Sequence, residues 1–232
     1  MIKYTKTVIG RFLNRPNRFI AKAEIGGKEE TVHVKNTGRC RELLLEGAKV
    51  VLSVSDSQTR KTKYDLVAVY KERTGEIPLL INMDSQIPND VAEEWLKKGN
   101  LFSKDAILRR EVRFGNSRFD FYVEDGDRKA FVEVKGVTLE ENRVAMFPDA
   151  PTERGVKHIR ELETAIDMGF EAYVLFVIQM KEIDMFKPND ITHKAFGDAL
   201  RKASANGVKI FAVDCIVNED SIKADSNVEV CL

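Results

Sequence analysis

The chain has 232 residues, of which 43% are hydrophobic, which is enough for one large or two smaller packed domains. No segment approaches the roughly 18 apolar residues of a membrane span, and Lys3 to Lys6 break up the start of the chain, so we expect a cytoplasmic protein with no membrane partner. Three cysteines, Cys40, Cys215 and Cys231, show no CxxC spacing, which argues against a structural zinc site and is typical of a reducing compartment.

The formal net charge of zero conceals an uneven distribution of charge. Residues 1–70 contain fourteen Lys or Arg against seven Asp or Glu, so the remaining residues carry an equal negative excess. A basic region is suited to binding a polyanion such as nucleic acid. A solvated face with no specific partner is the alternative interpretation.

The first part of the chain has the pattern of short strands separated by turns. Strands are predicted at Phe19 to Ile25, Thr31 to Val34, Lys49 to Ser55 and Tyr64 to Tyr70. The stretch CRELLLEG predicts one short helix between the second and third of these. About five strands with one helix indicate a small OB-like β-barrel, so we predict a nucleic-acid-binding domain over residues 1–83.

A different pattern begins near residue 84. A helix is predicted after Pro88, with Asn89 or Asp90 as its N-cap. The elements expected after it are strands at Glu111 to Phe114, Arg118 to Val123 and Lys129 to Lys135, a helix from about Thr152 to Met168, a strand at Ala172 to Gln179, a helix from about Thr192 to Asn206 and a strand at Val208 to Asp214. Clustered strands followed by alternating helices and strands indicate a mixed α/β domain over residues 84–232.

The predicted hairpins bring three acidic residues together. A tight Gly-Asn loop places Glu111 opposite Asp120, and the next loop, if it closes symmetrically, places Asp120 opposite Glu133. Opposed residues share one face of a sheet, with Cβ atoms roughly 4.5 to 5.5 Å apart. We therefore expect a row of three carboxylates, with Lys135 two residues along on the same face.

Three neighbouring carboxylates repel one another unless a cation lies between them. Mg²⁺ and Mn²⁺ take hard oxygen ligands, commonly one or two carboxylates with water and phosphate oxygens. The row thus predicts metal ligands at Glu111, Asp120 and Glu133, and a lysine beside them could position a hydrolytic water or stabilise charge on a phosphate. The alternative is the ordinary charged surface of an amphipathic strand.

The spacing D-x(12)-E-x-K in a strand hairpin followed by a helix resembles the PD-(D/E)xK nuclease motif. The order of elements is also similar: a helix, three antiparallel strands, a helix and a strand. In that superfamily the Asp and the Glu bind Mg²⁺ and the Lys assists the hydrolytic water. The resemblance implies catalytic roles for Asp120, Glu133 and Lys135, with Glu111 as an extra acidic ligand.

The helix TERGVKHIREL follows these residues. Its buried stripe is predicted at Val156, Ile159, Leu162 and Ile166. Arg154, Lys157 and His158 are then expected on the outer part of the helix, where they could bind nucleic acid, and the helix N-terminus could receive a phosphate. The alternative is a charged solvent face, with His158 solvated.

The basic residues of the first domain lie in predicted loops and at strand ends. We expect seven of them to line a groove for DNA: Arg11, Arg15, Arg18, Arg39, Arg60, Lys61 and Lys63. Scattered charge that serves solubility is the alternative. Phe12, Phe19 and Tyr64 could stack on unpaired bases, but their alternating positions favour packing in the core.

Motifs spread over both halves of the chain resemble the sugar fermentation stimulation protein A family. They are NRF (17–19), NTGR (36–39), SRFDF (117–121), EVKGVTL (133–139), FPDA (147–150) and TERGVKHIREL (152–162). The resemblance implies an OB-like domain, a nuclease-like domain, DNA binding and a role in regulating sugar-utilisation genes. Two positions depart from the family pattern: Cys40, where Met is expected, and Met83, where Thr often stands. Neither departure changes one of the acidic residues.

Two functions remain in competition. The first is a DNA-binding protein with a divalent-metal-dependent site that hydrolyses phosphodiester bonds, which the intact acidic residues favour. The second is a non-cleaving DNA-binding regulator on a nuclease scaffold, which the name of the family favours. A protein-interaction module without nucleic acid is disfavoured by the basic first part. No helix-turn-helix or zinc-finger pattern indicates how bases would be read.

Overall fold

The computed structural model describes residues 1–36, 38–55 and 59–232, so Thr37 of the NTGR motif lies outside the described residues. The first strands are β1 (Ile2–Lys3), β2 (Thr7–Asn14), β3 (Ile20–Ile25), β4 (Lys28–Val34), β5 (Lys49–Val54), β6 (Tyr64–Lys71) and β7 (Leu79–Asn82). The later elements are α1 (Ile87–Lys97), β8 (Ile107–Phe114), β9 (Ser117–Asp125), β10 (Arg128–Val137), β11 (Leu139–Glu141), β12 (Val144–Phe147), α2 (Glu153–Asp167), β13 (Glu171–Ile178), β14 (Met185–Pro188), α3 (Asp190–Ala205), β15 (Lys209–Asn218) and β16 (Ser221–Val230).

Strands β2 to β6 close into a small barrel. Their order is β4-β3-β2-β5-β6 with antiparallel neighbours, and a parallel pairing of β4 with β6 closes the ring. Strand β7 pairs with β6 and extends the sheet. Alternate residues such as Phe12, Val32, Leu52 and Leu66 fill the interior. The OB-like barrel predicted from the sequence is confirmed.

Two local predictions in the barrel are wrong. CRELLLEG forms a single turn in place of a helix: the N–H groups of Leu43 and Leu44 both donate to the carbonyl of Cys40, and the chain then enters further turns. A helix this short fixes several dihedral angles for few hydrogen bonds, which makes it unfavourable. Strand β2 was not predicted, because Gly10 and Arg11 interrupt its apolar alternation.

The second domain is a mixed α/β structure, as predicted. Within the described ranges its sheet has ten strands, in the order β11-β12-β14-β16-β15-β13-β10-β9-β8, with β1 beside β16. Strands β10, β13 and β15 are parallel, and β8 and β9 form the predicted antiparallel hairpins beside β10. The sheet lies between α1, which packs on one face, and α2 with α3, which pack on the other. Strands β11, β12, β14 and β16 were not predicted, since they are short or, in β16, interrupted by charged residues.

The predicted N-cap is confirmed for α2 and is wrong for α1. Thr152 caps α2 by accepting a hydrogen bond from the Gly155 N–H at 3.1 Å. In contrast, α1 begins at Ile87 after Gln86, so neither Asn89 nor Asp90 is its N-cap. Pro88 is tolerated there because the first turn of a helix has no partner for its N–H groups. Within the described residues, no helix is long and apolar enough to cross a membrane.

The two domains are joined by buried polar contacts. The side-chain amide of Gln179, after β13, donates to Asn82 Oδ1 at 3.0 Å and to the Asp84 carbonyl at 3.1 Å. Lys71 of β6 also forms an ion pair with Glu140 of β11. The predicted boundary between residues 83 and 84 falls between β7 and α1, whereas β1 pairs with the sheet of the second domain. These contacts set the position of the barrel relative to the ends of β10 and β13.

Candidate functional site

Strands β9 and β10 bring Asp120, Glu133 and Lys135 together. Their ladder ends at the pair Phe121–Val132, one step before the two carboxylates. Beyond this pair the Asp120 side chain replaces a backbone partner, because Asp120 Oδ2 accepts the N–H of Val134 at 2.7 Å. The two acidic residues therefore lie beside each other at the position expected from the hairpin loops.

Glu133 is an almost fully buried carboxylate, with 3% of its surface exposed. Its Oε1 accepts hydrogen bonds from Lys135 Nζ at 2.5 Å and from His158 Nδ1 at 2.5 Å. Its Oε2 is buried and has no hydrogen-bond partner among the described residues. Burial alone would raise the pKa of Glu133, but the charge of Lys135 and the hydrogen bond from His158 outweigh it and hold that pKa below its ordinary value. Glu133 is thus an anion with one oxygen fixed and one oxygen free.

The pKa of Asp120 is shifted in the opposite direction from that of Glu133. Its Oδ1 accepts a hydrogen bond from Asn89 Nδ2 at 2.8 Å, in addition to the bond from Val134. Burial first, and the charge of Glu133 second, raise the pKa of Asp120 to about 6. These two adjacent carboxylates, one buried and one partly buried, therefore resist being ionised together, and a cation between them would offset that penalty.

Glu111 does not join this pair, so the predicted row of three carboxylates is wrong at this position. The β8–β9 register is as predicted on either side, but Glu111 itself has a φ of 58°, which interrupts the alternation of the strand. Its carboxylate is 48% exposed and forms an ion pair with Arg118 Nε at 2.7 Å. In residues 1–36, 38–55 and 59–232, no group of three or more His, Cys, Asp or Glu is arranged to hold a metal. A divalent cation here would take most of its ligands from water and substrate.

His158 lies inside the site, which corrects the expectation that it faces solvent. The residue is 5% exposed, and its ring packs edge-on against Phe119. Its inward position follows from helical spacing, because His158 adjoins Ile159 and precedes Leu162 by one turn. The buried face of α2 is wider than the apolar stripe alone indicates. The apolar pattern contains no signal for a polar residue on that face.

Arg154 and Lys157 lie on the exposed side of α2 at the edge of the site. Arg154 Nε is 3.4 Å from His158 Nε2, and Lys157 Nζ donates to the Asn116 carbonyl in the β8–β9 turn at 2.9 Å. Arg154 is therefore linked to Glu133 through His158. Lys157, in contrast, lies at the β8–β9 turn and forms an ion pair with Glu161 at 3.7 Å. Both side chains add positive charge to the outer side of α2.

The seven basic residues predicted to bind nucleic acid divide into two groups. Arg15 has a structural role, because its guanidinium donates to the carbonyls of residues 18, 36, 38 and 39, at 2.6 to 2.9 Å, and its contact with DNA stays a prediction. Arg60 forms a bidentate pair with Asp65, at 2.5 and 2.8 Å, which neutralises much of its charge. The other five side chains are exposed: Arg11, Arg18, Arg39, Lys61 and Lys63.

The three aromatic residues of the barrel that could stack on bases differ in their burial. Phe12 and Tyr64 are buried in the core, as their alternating positions predict. Phe19 is 51% exposed, so the prediction of core packing is wrong for this residue. Its N–H is held by Asn17 Oδ1 at 2.9 Å, in a bend just before β3, where the strand alternation does not yet apply. Phe19 thus presents an aromatic ring beside Arg18 at the surface.

The architecture is that of a two-domain protein with an OB-like barrel and a mixed α/β domain that carries a pair of adjacent carboxylates, Asp120 and Glu133. The family model described as "SfsA N-terminal OB domain" matches residues 13–77, and that described as "Sugar fermentation stimulation protein RE domain" matches residues 86–221. The chain therefore belongs to the sugar fermentation stimulation protein (SfsA) family.

Relatives and one solved structure agree with this assignment. A sugar fermentation stimulation protein homolog of Desulfitobacterium hafniense is 61% identical over 231 residues, covering 100% of this chain and 99% of the relative. A homolog of Clostridium beijerinckii is 54% identical over 231 residues, covering 100% of both. The structure of Pyrococcus furiosus SfsA in complex with Ca²⁺ has a TM-score of 0.85 and 26% identity, covering 100% of this chain and 98% of the other.

Proposed function

We propose that this protein binds DNA and hydrolyses its phosphodiester bonds with Mg²⁺ or Mn²⁺ held by Asp120 and Glu133. The observation that carries the proposal is the buried Glu133 Oε2, which has no hydrogen-bond partner among the described residues. A buried carboxylate oxygen without a partner is costly, so such an atom calls for an ion, a water or a substrate group. A divalent cation would meet that need and offset the burial and the repulsion by Glu133 that raise the pKa of Asp120.

The residues around the carboxylates have defined roles in this proposal. Lys135 and His158 hold Glu133 Oε1, which leaves Oε2 directed to the metal. Asn89 and the Val134 N–H fix the orientation of Asp120. A bound divalent cation supplies Lewis-acid activation of water and neutralises charge on the phosphate.

Lys135 has a second role beside the carboxylates. Its side chain is only 14% exposed and ends within hydrogen-bonding distance of Glu133. An ammonium group at this position can orient the hydrolytic water or stabilise the negative charge that develops on the phosphate. Because Lys135 is not a metal ligand, its contribution to chemistry can be separated from metal binding.

The charge distribution supports DNA as the substrate. Arg154, which is linked to Glu133 through His158, and Lys157 add positive charge to the outer side of α2. The barrel adds exposed Arg and Lys side chains with the exposed ring of Phe19. Basic grooves with accessible aromatic rings are typical of proteins that bind single strands. The P. furiosus relative binds Ca²⁺, and Ca²⁺ takes the same class of oxygen ligands as Mg²⁺, which supports a cation site in this fold.

The alternative function is a non-cleaving DNA-binding regulator of sugar-utilisation genes. It is favoured by the name of the family and by the displacement of Glu111, which leaves two carboxylates in place of three. In this alternative the cation would order the site for DNA binding without chemistry. Both functions require DNA, so cleavage is the property that separates them.

Labelled single-stranded and duplex DNA, incubated with the purified protein in Mg²⁺, Mn²⁺ or EDTA, tests the proposal. Cleavage is expected with either metal and not with EDTA. Glu133→Gln should abolish cleavage, whereas the same exchange at Glu111 is the matched control and should preserve it, because that carboxylate pairs with Arg118 outside the site. Metal-dependent DNA binding with no cut strand of either kind would establish the regulator.

A further inference from the structure

A cleft of about 300 Å³ opens between the two domains. Asn36 and Gly38 of the barrel line one part of it, and residues 146–152, which lead into α2, line another. Gly136 also lines it, and Gly136 directly follows Lys135 on β10. The lining of the cleft therefore includes the residue that follows Lys135 in the chain.

Two nearly fully buried polar side chains line this cleft. Gln179 is 1% exposed, and its amide nitrogen is already engaged with Asn82 and Asp84. Its Oε1 accepts no hydrogen bond from the described residues and points over Gly136, where an added Cβ would lie only 2.6 Å from it. Thr138 is 7% exposed, and its hydroxyl also makes no hydrogen bond within the part of the chain that the structure describes. The cleft thus contains hydrogen-bonding atoms that the described residues do not use.

A carboxylate adds to the acceptors of the cleft. Asp149 is partly buried and lies so close to Gly38 that an added Cβ there would be 2.6 Å from its Oδ2. Burial raises the pKa of Asp149. Acceptor atoms on Gln179 and Asp149 repel a phosphate and attract N–H groups. The remaining lining includes apolar side chains of Leu139, Met146 and Pro148.

Acceptors combined with apolar walls fit a flat heterocycle that carries amino groups. Nucleobases have this chemistry, and proteins that take a base out of its stack bind it through its Watson–Crick edge between apolar groups. Ligand pockets of small molecules begin at about 300 Å³, so the cleft has room for a single base. Gly136 has no room for a side chain, because an added Cβ would lie 2.6 Å from Gln179 Oε1 and 2.7 Å from Pro88 Cγ, so its bare backbone forms this part of the lining.

We propose that this cleft takes up one unstacked base of a strand whose backbone passes the Asp120–Glu133 site. The inference rests on the proposed function for the identity of the ligand as DNA. A base in an intact duplex has its Watson–Crick edge occupied, so the substrate class is DNA with an unpaired nucleotide beside the bond that is cut. Single strands, frayed ends and flaps belong to this class. Cytosine, adenine and guanine, which carry an amino group, fit the acceptors better than thymine.

The test compares three ligands and three proteins in EDTA, so that no strand is cut. The ligands are a short oligodeoxycytidine, an abasic oligonucleotide of the same length, which has the same phosphates and no bases, and a duplex. The proteins are the unmodified chain and two variants. Ala150→Leu fills the cleft, and Ala205→Leu makes the same exchange at an exposed position at the end of α3. Fluorescence anisotropy gives the nine affinities, and the ratio of the affinities for oligodeoxycytidine and for the abasic strand isolates the contribution of bases.

In the unmodified protein and in Ala205→Leu, oligodeoxycytidine should bind more tightly than the abasic ligand. Ala150→Leu should reduce this ratio by roughly tenfold, the contribution of one bound base, and leave the affinity for the abasic ligand and for a duplex unchanged. An unchanged ratio, or an equal loss for all three ligands, would overturn the inference. If melting shows that Ala150→Leu is unfolded, Thr138→Val decides by the same ratio, because it removes only the buried hydroxyl.

The outcomes separate this inference from the proposed function. If the expected ratio is found but the protein does not cleave DNA with metal, the base site is supported and the proposed hydrolytic activity is contradicted. If the protein cleaves DNA but the ratio is unchanged in both cleft variants, the hydrolytic activity is supported and the base site is contradicted. Absence of binding to every oligonucleotide, both in EDTA and with Mg²⁺, contradicts both.

Discussion

His158 of α2 and Glu133 of β10 are 25 residues apart in the chain and share a hydrogen bond of 2.5 Å in the interior. This bond joins the helix to the strand that carries the acidic pair. Together with Lys135 it occupies Glu133 Oε1 and leaves Oε2 without a partner among the described residues. The orientation of the proposed metal ligand thus depends on a residue that does not touch the metal.

We predict that His158 positions Glu133 for metal binding. His158→Leu removes the hydrogen bond, so Glu133 can rotate and its free oxygen is no longer directed. The affinity for Mn²⁺, measured by calorimetry, should fall by about 10- to 100-fold, as is typical when a partner of a metal ligand is lost. His158→Asn retains a donor near the position of Nδ1 and should recover much of the affinity. If His158→Leu and His158→Asn bind Mn²⁺ with equal affinity, the hydrogen bond does not contribute and His158 serves packing alone.

The stability of the metal-free protein should decrease as the pH rises through the range in which Asp120 ionises. An unfolded aspartate has a pKa of about 3.9, whereas the folded protein raises that of Asp120 to about 6. Because the native state binds the proton more tightly, this group contributes stability that is present below pH 4 and lost as the pH rises through 6, up to about 3 kcal/mol.

Asp120→Asn removes this titration and is the matched test. Urea unfolding in EDTA should show the variant to be more stable than the unmodified protein at pH 7, with the difference shrinking towards pH 4. The gain should be about 1 to 2 kcal/mol, since an amide accepts fewer hydrogen bonds than the carboxylate that binds Asn89 and Val134. A difference that is constant from pH 4 to pH 7 would contradict the raised pKa.

The sequence predicts the Asp120–Glu133 pair because short loops fix the register of neighbouring strands by simple counting. The loop at Gly115-Asn116 sets the first hairpin, and the symmetric second loop aligns the two carboxylates. Glu111 obeys the same count but has a left-handed backbone, which the pattern of apolar residues does not encode. Register is therefore readable from sequence, while a local dihedral angle at a residue other than glycine is not.

Arg15 and Arg18 show a second limit of the sequence. They occupy the same predicted loop and have the same charge. Arg15 is fixed by the carbonyls of residues 36, 38 and 39, which the fold brings from another loop, whereas Arg18 is exposed. Which arginine becomes structural depends on this tertiary contact, and composition alone cannot assign it.

We predict opposite effects for these two arginines. Arg15→Ala leaves several partly buried carbonyls without donors and should lower the free energy of unfolding by about 3 kcal/mol. Arg18→Ala should change stability by less than about 0.5 kcal/mol, and it should weaken DNA binding and reduce the dependence of log affinity on log salt concentration. Urea unfolding and salt titrations of DNA binding measure both effects. If Arg15→Ala is as stable as the unmodified protein but binds DNA more weakly, Arg15 acts in the nucleic-acid interface and has no structural role.

Divalent metal should stabilise the folded protein through Glu133. At a concentration a hundredfold above its dissociation constant, Mg²⁺ or Mn²⁺ should raise the free energy of unfolding by about 2.7 kcal/mol. Glu133→Gln should abolish this gain, and Glu111→Gln should preserve it because its carboxylate pairs with Arg118. Melting curves with metal and with EDTA provide the measurement. If millimolar metal leaves the melting temperature of the unmodified protein unchanged, the proposed metal site is excluded.

Lys135 should be required for cleavage and dispensable for metal binding. Lys135→Ala leaves Asp120 and Glu133 in place, and His158 continues to hold Glu133 Oε1, so the metal-induced rise in melting temperature should persist. The ammonium group that orients water or stabilises the phosphate is lost, so the single-turnover rate of DNA cleavage should fall by a factor of about 100 or more. Lys97→Ala, an exposed lysine on α1, is the control and should match the unmodified protein. A Lys135→Ala variant that cleaves DNA at the normal rate would exclude this role, whereas the loss of metal stabilisation in that variant would show that Lys135 acts by holding Glu133.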